Sequence, residues 1–481
     1  MKFFDGNKRA AGRSGTSRWP TLVLLCVAQF VVVLDATIVA IALPSIQRDL
    51  GFSQASLQWV ISAYTLVFGG FLMLAGRAAD LYGRRKLFMV GLALFSAASV
   101  ACGLAASPLA LVAFRVAQGL GAAIVSPSAL SILTTTFSEE KERNRALGVW
   151  TAAAAGGGAA GWVLGGVITQ GLGWAWIFFI NIPVGILGLV LAPKLLGESR
   201  DRTAPPRLDV AGAATITLGL TLLIYGLTRA EEAGFGSPET LVLLCLSMAF
   251  VAAFVVIENR VEHPLVPLGI LGSRRLAGAN LVALALTAST TPAMLVCVLY
   301  VQRVLGHGPA EAGLAFPPFN VAVIAGSLLG PRFAGKVGAR TAMVSGLLAI
   351  AASILLLTGI SPESSYTTHL LPGFVLMGCG LGIASVASTA SGASAIGKDM
   401  QGLASGLLNT SAQFGTALGL AVLIPLSAAR TDLLIGSGVQ PDDALIGGFR
   451  VAFFGAAGIA VLGAIVALSL LAQGKARKRE R

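Results

Sequence analysis

Long apolar runs, separated by short polar segments, follow one another along almost the whole chain of 481 residues. A helix needs about 17–25 mostly apolar residues to cross the hydrocarbon core of a bilayer. Fourteen runs meet this length: 21–43, 57–76, 87–106, 109–133, 146–170, 174–195, 208–227, 239–258, 276–302, 311–330, 341–360, 369–391, 402–427 and 447–473. The pattern therefore predicts an all-α polytopic membrane protein. The first run is too long for a signal peptide and lacks a small-residue cleavage site, so we expect it to remain as a helix.

Composition narrows the class of protein further. Hydrophobic residues make up 55% of the chain and charged residues only 12%, about half the charged share of an ordinary soluble domain. These values exclude both a soluble globular fold and a disordered chain. The 59 glycines are typical of closely packed membrane helices.

The positive charges indicate an orientation. With the N-terminus inside, 28 of the 34 Lys and Arg residues lie in inner segments or adjoining run ends, and 5 lie outside. This asymmetry predicts a protein of the cell (inner) membrane with both termini in the cytoplasm. Although the net charge is +12, no basic run alternates with aromatic residues, so we expect no nucleic-acid partner.

Two halves of the chain resemble each other. In the fifth and thirteenth runs, three glycine pairs share an offset of 258 residues: Gly148 and Gly406, Gly157 and Gly415, Gly161 and Gly419. The fourth and twelfth runs share a Gly-Leu-Gly segment, at 119–121 and 380–382, with an offset of 261. Repeated halves are typical of secondary transporters. We therefore predict a cytoplasmic tail (1–20), a six-helix bundle (21–195), a linker with two inserted helices (196–275), a second six-helix bundle (276–473) and a basic tail (474–481).

Two ionisable residues lie well inside apolar runs, Asp35 in the first and Arg115 in the fourth. Such groups are costly at membrane depth and are usually functional. A carboxyl group in low-polarity surroundings can hold a proton and release it when water or a cation approaches. We therefore predict that Asp35 binds a proton and contacts substrate, and that Arg115 tunes a carboxylate or bridges to it through water. Gln118, which shares a helix face with Arg115, is also predicted to contact substrate. The alternatives are an Asp35 bonded to nearby backbone and an Arg115 that clamps carbonyl groups.

Further polar residues are candidate substrate contacts. Asn409 and Gln413 are four residues apart in the thirteenth run, and Asn320 lies near mid-depth of the tenth run beside Phe316. A polar stripe inside a membrane helix faces either a water-filled cavity or a neighbouring helix. We predict that these four residues line the substrate site, while helix-to-helix hydrogen bonding remains the alternative for the stripe of Asn409 and Gln413.

The sequence offers no constellation for catalysis. The five cysteines lie inside apolar runs without metal-ligand spacing, the three histidines form no cluster, and no complete phosphate-binding loop pattern occurs. We therefore predict a protein that is not an enzyme and needs neither a metal nor a cofactor. Energy for transport would then come from an ion gradient or from the substrate's own gradient.

Five segments together resemble the fourteen-helix drug:proton antiporters of the major facilitator superfamily. They are Leu34–Pro44 in the first run, Gly76–Lys86 between the second and third, Arg115–Pro127 in the fourth, Trp174–Gly185 in the sixth and Asn409–Gly419 in the thirteenth. The resemblance covers nearly the whole chain. It implies the major facilitator fold, with two six-helix bundles and two inserted helices.

The resemblance also implies roles for residues. Asp35 would take part in proton coupling, Arg115 would assist it, and a latch between the second and third helices would close the cytoplasmic side. The latch residues are Gly76, Asp80, Gly83, Arg84 and Arg85. The family's glycine-rich fifth-helix packing motif would comprise Gly157, Gly161, Gly165 and Gly166.

The chain departs from the family pattern at three places. Trp162 stands where the fifth-helix motif has proline, and Gly335 stands in the second half where Asp80 stands in the first. The tenth and thirteenth runs also lack deep carboxylates that some relatives carry. Asp35 alone supplies too little negative charge for divalent cations, so the resemblance favours neutral or monovalent substrates.

These observations predict a monomeric transporter that exports amphipathic neutral or monovalent cationic compounds, such as drugs and antibiotics, in exchange for protons. The first alternative is a dedicated exporter of one lipid or natural product. A membrane scaffold or sensor that transports nothing is a rival of a different class, but it would not need the costly Asp35 and Arg115.

Overall fold

The computed structural model describes residues 18–470 except 55, 138, 200–208, 235, 263 and 396–400. It contains fourteen helical segments long and apolar enough to cross a membrane. They are α1 Arg18–Leu50, α2 Ser56–Tyr82, α3 Arg84–Gly103, α4 Pro108–Thr136, α5 Lys141–Leu172, α6 Trp176–Leu195, α7 Val210–Ala230, α8 Pro238–Arg260, α9 Arg274–Val304, α10 Pro309–Val337, α11 Ala339–Leu357, α12 Tyr366–Ser394, α13 Leu403–Gly436 and α14 Pro441–Leu470. The predicted number of helices and the all-α class are confirmed. Of the predicted tails, only residues 18–20 lie within the described part of the chain.

Local sequence explains where several helices begin and end. The side chains of Ser107 and Ser237 cap the starts of α4 and α8, and a proline follows each as the first helical residue. Gly83 and Gly338 end α2 and α10 with φ angles of 111° and 86°, which residues with a Cβ atom rarely adopt. These two glycines occupy corresponding positions in the two halves.

The helices form the two predicted bundles, α1–α6 and α9–α14, which confirms the predicted fold class. In each bundle the fifth helix packs against the first, α5 on α1 and α13 on α9. Glycines permit these close crossings: a Cβ atom on Gly157 would meet the carbonyl oxygen of Phe30, and one on Gly415 would meet that of Leu284. Because glycine has no side chain, it lets two helix backbones approach each other closely at such a crossing.

The offset of 261 predicted for the fourth and twelfth runs is wrong. Gly119 faces α2 and Gly121 faces α3, whereas Gly378 faces α10 and Gly380 faces α11. Because α10 and α11 are the counterparts of α2 and α3, the structural equivalents lie two residues earlier than the Gly-Leu-Gly alignment places them. Glycines recur along this helix because it packs closely against two neighbouring helices. An alignment by sequence alone can therefore pair a glycine that faces one neighbour with a glycine that faces the other.

The inserted helices pack against one side of the molecule. α7 contacts both α2 and α13, while α8 packs chiefly against α7. The side-chain amide of Gln58 donates a hydrogen bond to the Thr228 hydroxyl at 3.1 Å, and the Ser247 hydroxyl of α8 donates to the Gly219 carbonyl at 2.8 Å. Because α2 and α13 belong to different bundles, α7 bridges them.

The two bundles are also joined near one face of the molecule. We call the face where α1 begins and α14 ends the termini face, and the other the opposite face. Towards the opposite face, Gln302 donates to the Ile41 carbonyl at 2.9 Å, and the Ala310 amide donates to Gln170 at 2.9 Å. These contacts link α9 with α1 and α10 with α5 across the interface.

Candidate functional site

Asp35 lies in the middle of α1, fully buried, and its carboxylate is the centre of a polar cluster. Arg115 of α4 donates to its Oδ2 at 2.6 Å. Gln118 of α4 and Asn181 of α6 donate to its Oδ1, both at 2.7 Å. A carboxylate so surrounded is paired in charge and hydrogen-bonded at both oxygens, which are the conditions that make a buried ion tolerable.

Arg115 is also fully buried and is held by several groups at once. Its Nε donates to the Val60 carbonyl at 2.9 Å, and its Nη1 donates to Gln118 at 2.7 Å as well as to Asp35. The guanidinium lies 4.3 Å from the ring centroid of Tyr64, close enough for a cation–π interaction. Arg115 is therefore both a clamp on backbone and the partner of a carboxylate, so the two alternatives drawn from the sequence coexist.

Asn181, Ser99 and Tyr64 also belong to this cluster, although the sequence pattern does not predict any of them as a site residue. Ser99 of α3 accepts hydrogen bonds from Gln118 at 2.8 Å and from Asn181 at 3.2 Å. Asn181 begins a new helical stretch after a break in α6 at Ile180. Two signals could have indicated it: a polar residue inside an apolar run, and its position within the Trp174–Gly185 segment that resembles the family.

A cavity of about 260 Å³, which we call the central cavity, lies between the bundles. The described residues that line it are apolar, hydroxyl-bearing or amide-bearing, and none is charged. They are Ala36, Thr37, Ala40, Ile61, Thr65, Trp162, Thr287, Thr290, Thr291, Met294, Leu295, Phe319, Asn320, Leu381, Gln413 and Thr416. Apolar walls with a few fixed polar groups are typical of sites for small organic ligands.

The cavity brings together only some of the predicted substrate residues. Asn320 and Gln413 line it, whereas Phe316 is buried behind it. Asn409 instead lines a second cavity of about 240 Å³ between α9, α12 and α13. Asn409 and Gln413 are one helical turn apart along α13, and this separation along the helix axis places them in different cavities.

Asp35 and Gln118 do not line this cavity either, because both side chains turn into the first bundle. The cluster and the cavity nevertheless share two helices. On α1, Asp35 faces the cluster while Ala36 and Thr37 face the cavity; on α2, Tyr64 lies under Arg115 while the adjacent Thr65 faces the cavity. Successive residues on a helix point about 100° apart. The two helices therefore form the wall between the buried charges and the cavity.

Trp162, which replaces the family's proline, also lines the cavity and contacts the other bundle. Its ring stacks on that of Phe316 in α10, with centroids 4.5 Å apart, and Phe316 in turn lies 5.1 Å from Phe374. Of the fifth-helix glycines, Gly165 lies against α1 as Gly157 and Gly161 do, whereas Gly166 lies against Pro309 of α10. α5 thus contacts both bundles.

The residues predicted to form the latch lie where α2 meets α3. Asp80 Oδ1 accepts from Arg84 Nε at 2.8 Å and from the Ser131 hydroxyl of α4 at 3.1 Å. The carboxylate of Glu198, which follows α6, accepts from the backbone amides of Arg85 and Lys86, both at 3.2 Å. It thereby caps the start of α3.

Two more latch residues serve as close packing points. A Cβ atom on Gly76 would contact Pro127, and one on Gly83 would meet Glu198. All the contacts described here for the latch lie within the first bundle and the segment that follows it.

Comparison with known proteins places the chain among transporters. A model of the Major Facilitator Superfamily matches residues 25–420. The puromycin resistance protein pur8 of Streptomyces alboniger is 38% identical, with 94% of this chain and 91% of that protein aligned. The cephamycin export protein CmcT of Amycolatopsis lactamdurans is 40% identical, with 88% and 89% aligned.

Solved structures of transporters share the fold. The POT family transporter PepTSo superimposes with a TM-score of 0.70, covering 94% of this chain and 97% of its own, at 16% identity. A bacterial homolog of the human lysosomal transporter Spinster, in an inward-facing conformation, gives a TM-score of 0.66 with coverages of 95% and 97% at 18% identity.

Proposed function

The chain belongs to the Major Facilitator Superfamily and is a transporter rather than an enzyme; from this premise we propose that it exports drugs in exchange for protons. The substrates are amphipathic compounds, neutral or monovalent cationic, that leave the cell by alternating access of the central cavity. The names of two relatives support drug export, since they describe puromycin resistance and cephamycin export.

The observation that carries the proton-coupling proposal is the fully buried Asp35–Arg115 pair. A carboxylate in the membrane interior is costly and usually functional. When Asp35 takes up a proton, its attraction to Arg115 falls, so the contacts that tie α1 to α4 weaken. Because α1 also lines the cavity, protonation changes the wall that the substrate touches. Asn181 and Gln118 are proposed to position the carboxylate.

The proposed substrate site is the central cavity. Asn320 and Gln413 supply amide groups, and Thr65, Thr287 and Thr416 supply hydroxyls. Rings and aliphatic side chains form the remaining wall, so the cavity suits an apolar molecule with a few hydrogen-bonding groups. A monovalent cation would need Asp35, which reaches the cavity only if its cluster rearranges.

The orientation and the conformational cycle are also proposals. We place the termini face in the cytoplasm of a monomer in the cell membrane, on the evidence of the Lys and Arg distribution. The hydrogen bonds of Gln302 and Gln170 and the Trp162–Phe316 stack hold the opposite face closed. On this proposal the structure corresponds to a state that opens towards the cytoplasm, in which the hydrogen bonds of Asp80 to described residues go to Arg84 and Ser131 of the first bundle.

A dedicated exporter of one natural product is the second candidate. The names of two relatives each mention a single antibiotic, which favours a dedicated exporter. Export measured for a panel of compounds separates the two: a drug exporter transports several unrelated amphipathic compounds, whereas a dedicated exporter transports one chemical series.

Asp35→Asn tests proton coupling, because asparagine keeps the shape of aspartate but cannot release a proton. In proteoliposomes with a pH gradient, we expect the variant to lose uphill efflux of both a neutral and a cationic drug. Binding of the neutral drug should persist, since the cavity contacts remain. Asp442→Asn, at an exposed acid that begins α14, is the matched control and should transport normally. Full uphill efflux of both drugs by Asp35→Asn would remove Asp35 from the coupling mechanism.

A further inference from the structure

A second polar space lies at the opposite face, away from the central cavity. Its volume is about 610 Å³, and it lies where the end of α1 meets the end of α9. Both bundles therefore contribute to it. The residues around it are Pro44, Gln47, Arg48, Gln302, Arg303 and 306–309. We call it the seam pocket.

The seam pocket contains two arginines from different bundles, and no described residue that lines it is an acid. Arg303 of α9 donates to the side-chain oxygen of Gln47 on α1. Within the described part of the chain, Arg48 makes long contacts, at 3.4 Å, with the Pro44 carbonyl and the Ser45 hydroxyl. Because both guanidinium groups are positively charged and line the same pocket, they repel each other.

The acids closest along the chain are already engaged. Asp49 accepts a hydrogen bond from the indole of Trp174 at 2.8 Å. Glu311 pairs with His307 at 2.7 Å. Neither acid lines the pocket. Among the described residues, the two arginines therefore donate to neutral amide, hydroxyl and carbonyl oxygens, and no carboxylate is paired with either of them.

We propose that the seam pocket binds an oxyanion, of the carboxylate or sulfate class, between Arg48 and Arg303. A guanidinium group presents paired N–H donors that match the oxygens of such anions. Half-burial of Arg303 reduces screening by water, and an anion between two cations relieves their repulsion. Because the arginines belong to opposite bundles, the bound anion ties α1 to α9. This site lies outside the export site proposed above and does not depend on it.

The test is a titration of the purified full-length protein in detergent micelles free of lipid. The melting temperature is followed as sodium sulfate or sodium citrate is added, against sodium chloride at matched ionic strength. We expect a saturable rise with at least one oxyanion. Arg48→Gln and Arg303→Gln should each weaken its apparent affinity about tenfold, the effect of losing one charge-assisted hydrogen bond. Arg430→Gln, at an exposed arginine near the end of α13, should leave it unchanged.

Two results would overturn the proposal. One is the absence of a saturable effect of either oxyanion beyond that of chloride. The other is an effect that Arg48→Gln leaves unchanged; this side chain is exposed, so its replacement should not disturb folding and decides the matter even if Arg303→Gln fails to fold. No drug and no proton gradient enter the assay, so failure of the export proposal would not alter its outcome.

Discussion

Arg115 is held in the membrane interior by partners on three helices, one of which is its own α4. Asp35 on α1, the Val60 carbonyl and Tyr64 ring on α2, and Gln118 on α4 all contact its guanidinium. Asn181 brings in α6 through the shared carboxylate. Removing one partner of a buried ion pair costs more than the pair contributes, because it leaves the other charge uncompensated.

At this residue scale, Arg115→Gln should lower the free energy of unfolding by about 3–5 kcal/mol, since Asp35 would stay buried without a countercharge. The double variant Asp35→Asn/Arg115→Gln should regain part of that loss, because no lone charge remains. Unfolding measured in detergent for both variants and for the control Arg430→Gln checks this. A single variant as stable as the wild type would show that Asp35 does not rely on Arg115.

At the scale of helices, the structure separates the parts that the proposed mechanism must link. α1 and α2 carry the charged cluster on one face and the cavity on another, so a small rotation of either helix affects both. The end of α2 carries Asp80, which holds α3 and α4 through Arg84 and Ser131. The same helix therefore connects the cavity wall with the latch.

Asp80→Asn should impair export while insertion into the membrane stays intact. The carboxylate accepts bonds from Arg84 and Ser131 here, and in the proposed cycle its charge closes the cytoplasmic side when the cavity opens outward. Export assays and membrane-fraction immunoblots measure the two properties. Glu239→Gln, at an exposed acid that pairs with Arg229, is the control. Normal export by Asp80→Asn would leave Asp80 a solvated charge at a helix end.

At the scale of the whole molecule, the bundles meet unevenly. α5 and α10 contact each other towards the opposite face, and α2 and α13 meet along the side that α7 covers. On that side the Thr410 hydroxyl donates to the Gly69 carbonyl at 2.9 Å. If the bundles rock against each other, we expect α5 and α10 to separate more readily than α2 and α13, because α7 contacts both α2 and α13 and holds them together.

Fourteen spans also fix which segments share a side of the membrane. Accessible tags at both termini should report the cytoplasm, because an even number of spans and the Lys and Arg bias both place them there. A tag near Gly236, between α7 and α8, should report the exterior. Labelling of intact cells with an impermeant reagent tests all three. An external C-terminus would refute the count of fourteen.

The sequence by itself determined the number of helices, the class of protein and the two membrane charges worth attention. Hydropathy and charge are properties of single segments, and the bilayer requires each span to satisfy its own backbone. They can therefore be inferred without knowing how helices pack. The identities of Asp35 and Arg115 follow for the same reason, since a charge inside an apolar run is conspicuous wherever it points.

Only the tertiary structure decided which groups meet. It paired Asp35 with Arg115, added Asn181 and Ser99 to the cluster, and turned Gln118 away from the cavity. Each of these contacts depends on how a helix is rotated about its axis. Moving along the helix by one residue changes the direction in which the side chain points by about 100°. An apolar run presents hydrophobic side chains all around, so its sequence carries little information about that rotation. Packing against neighbouring helices supplies it.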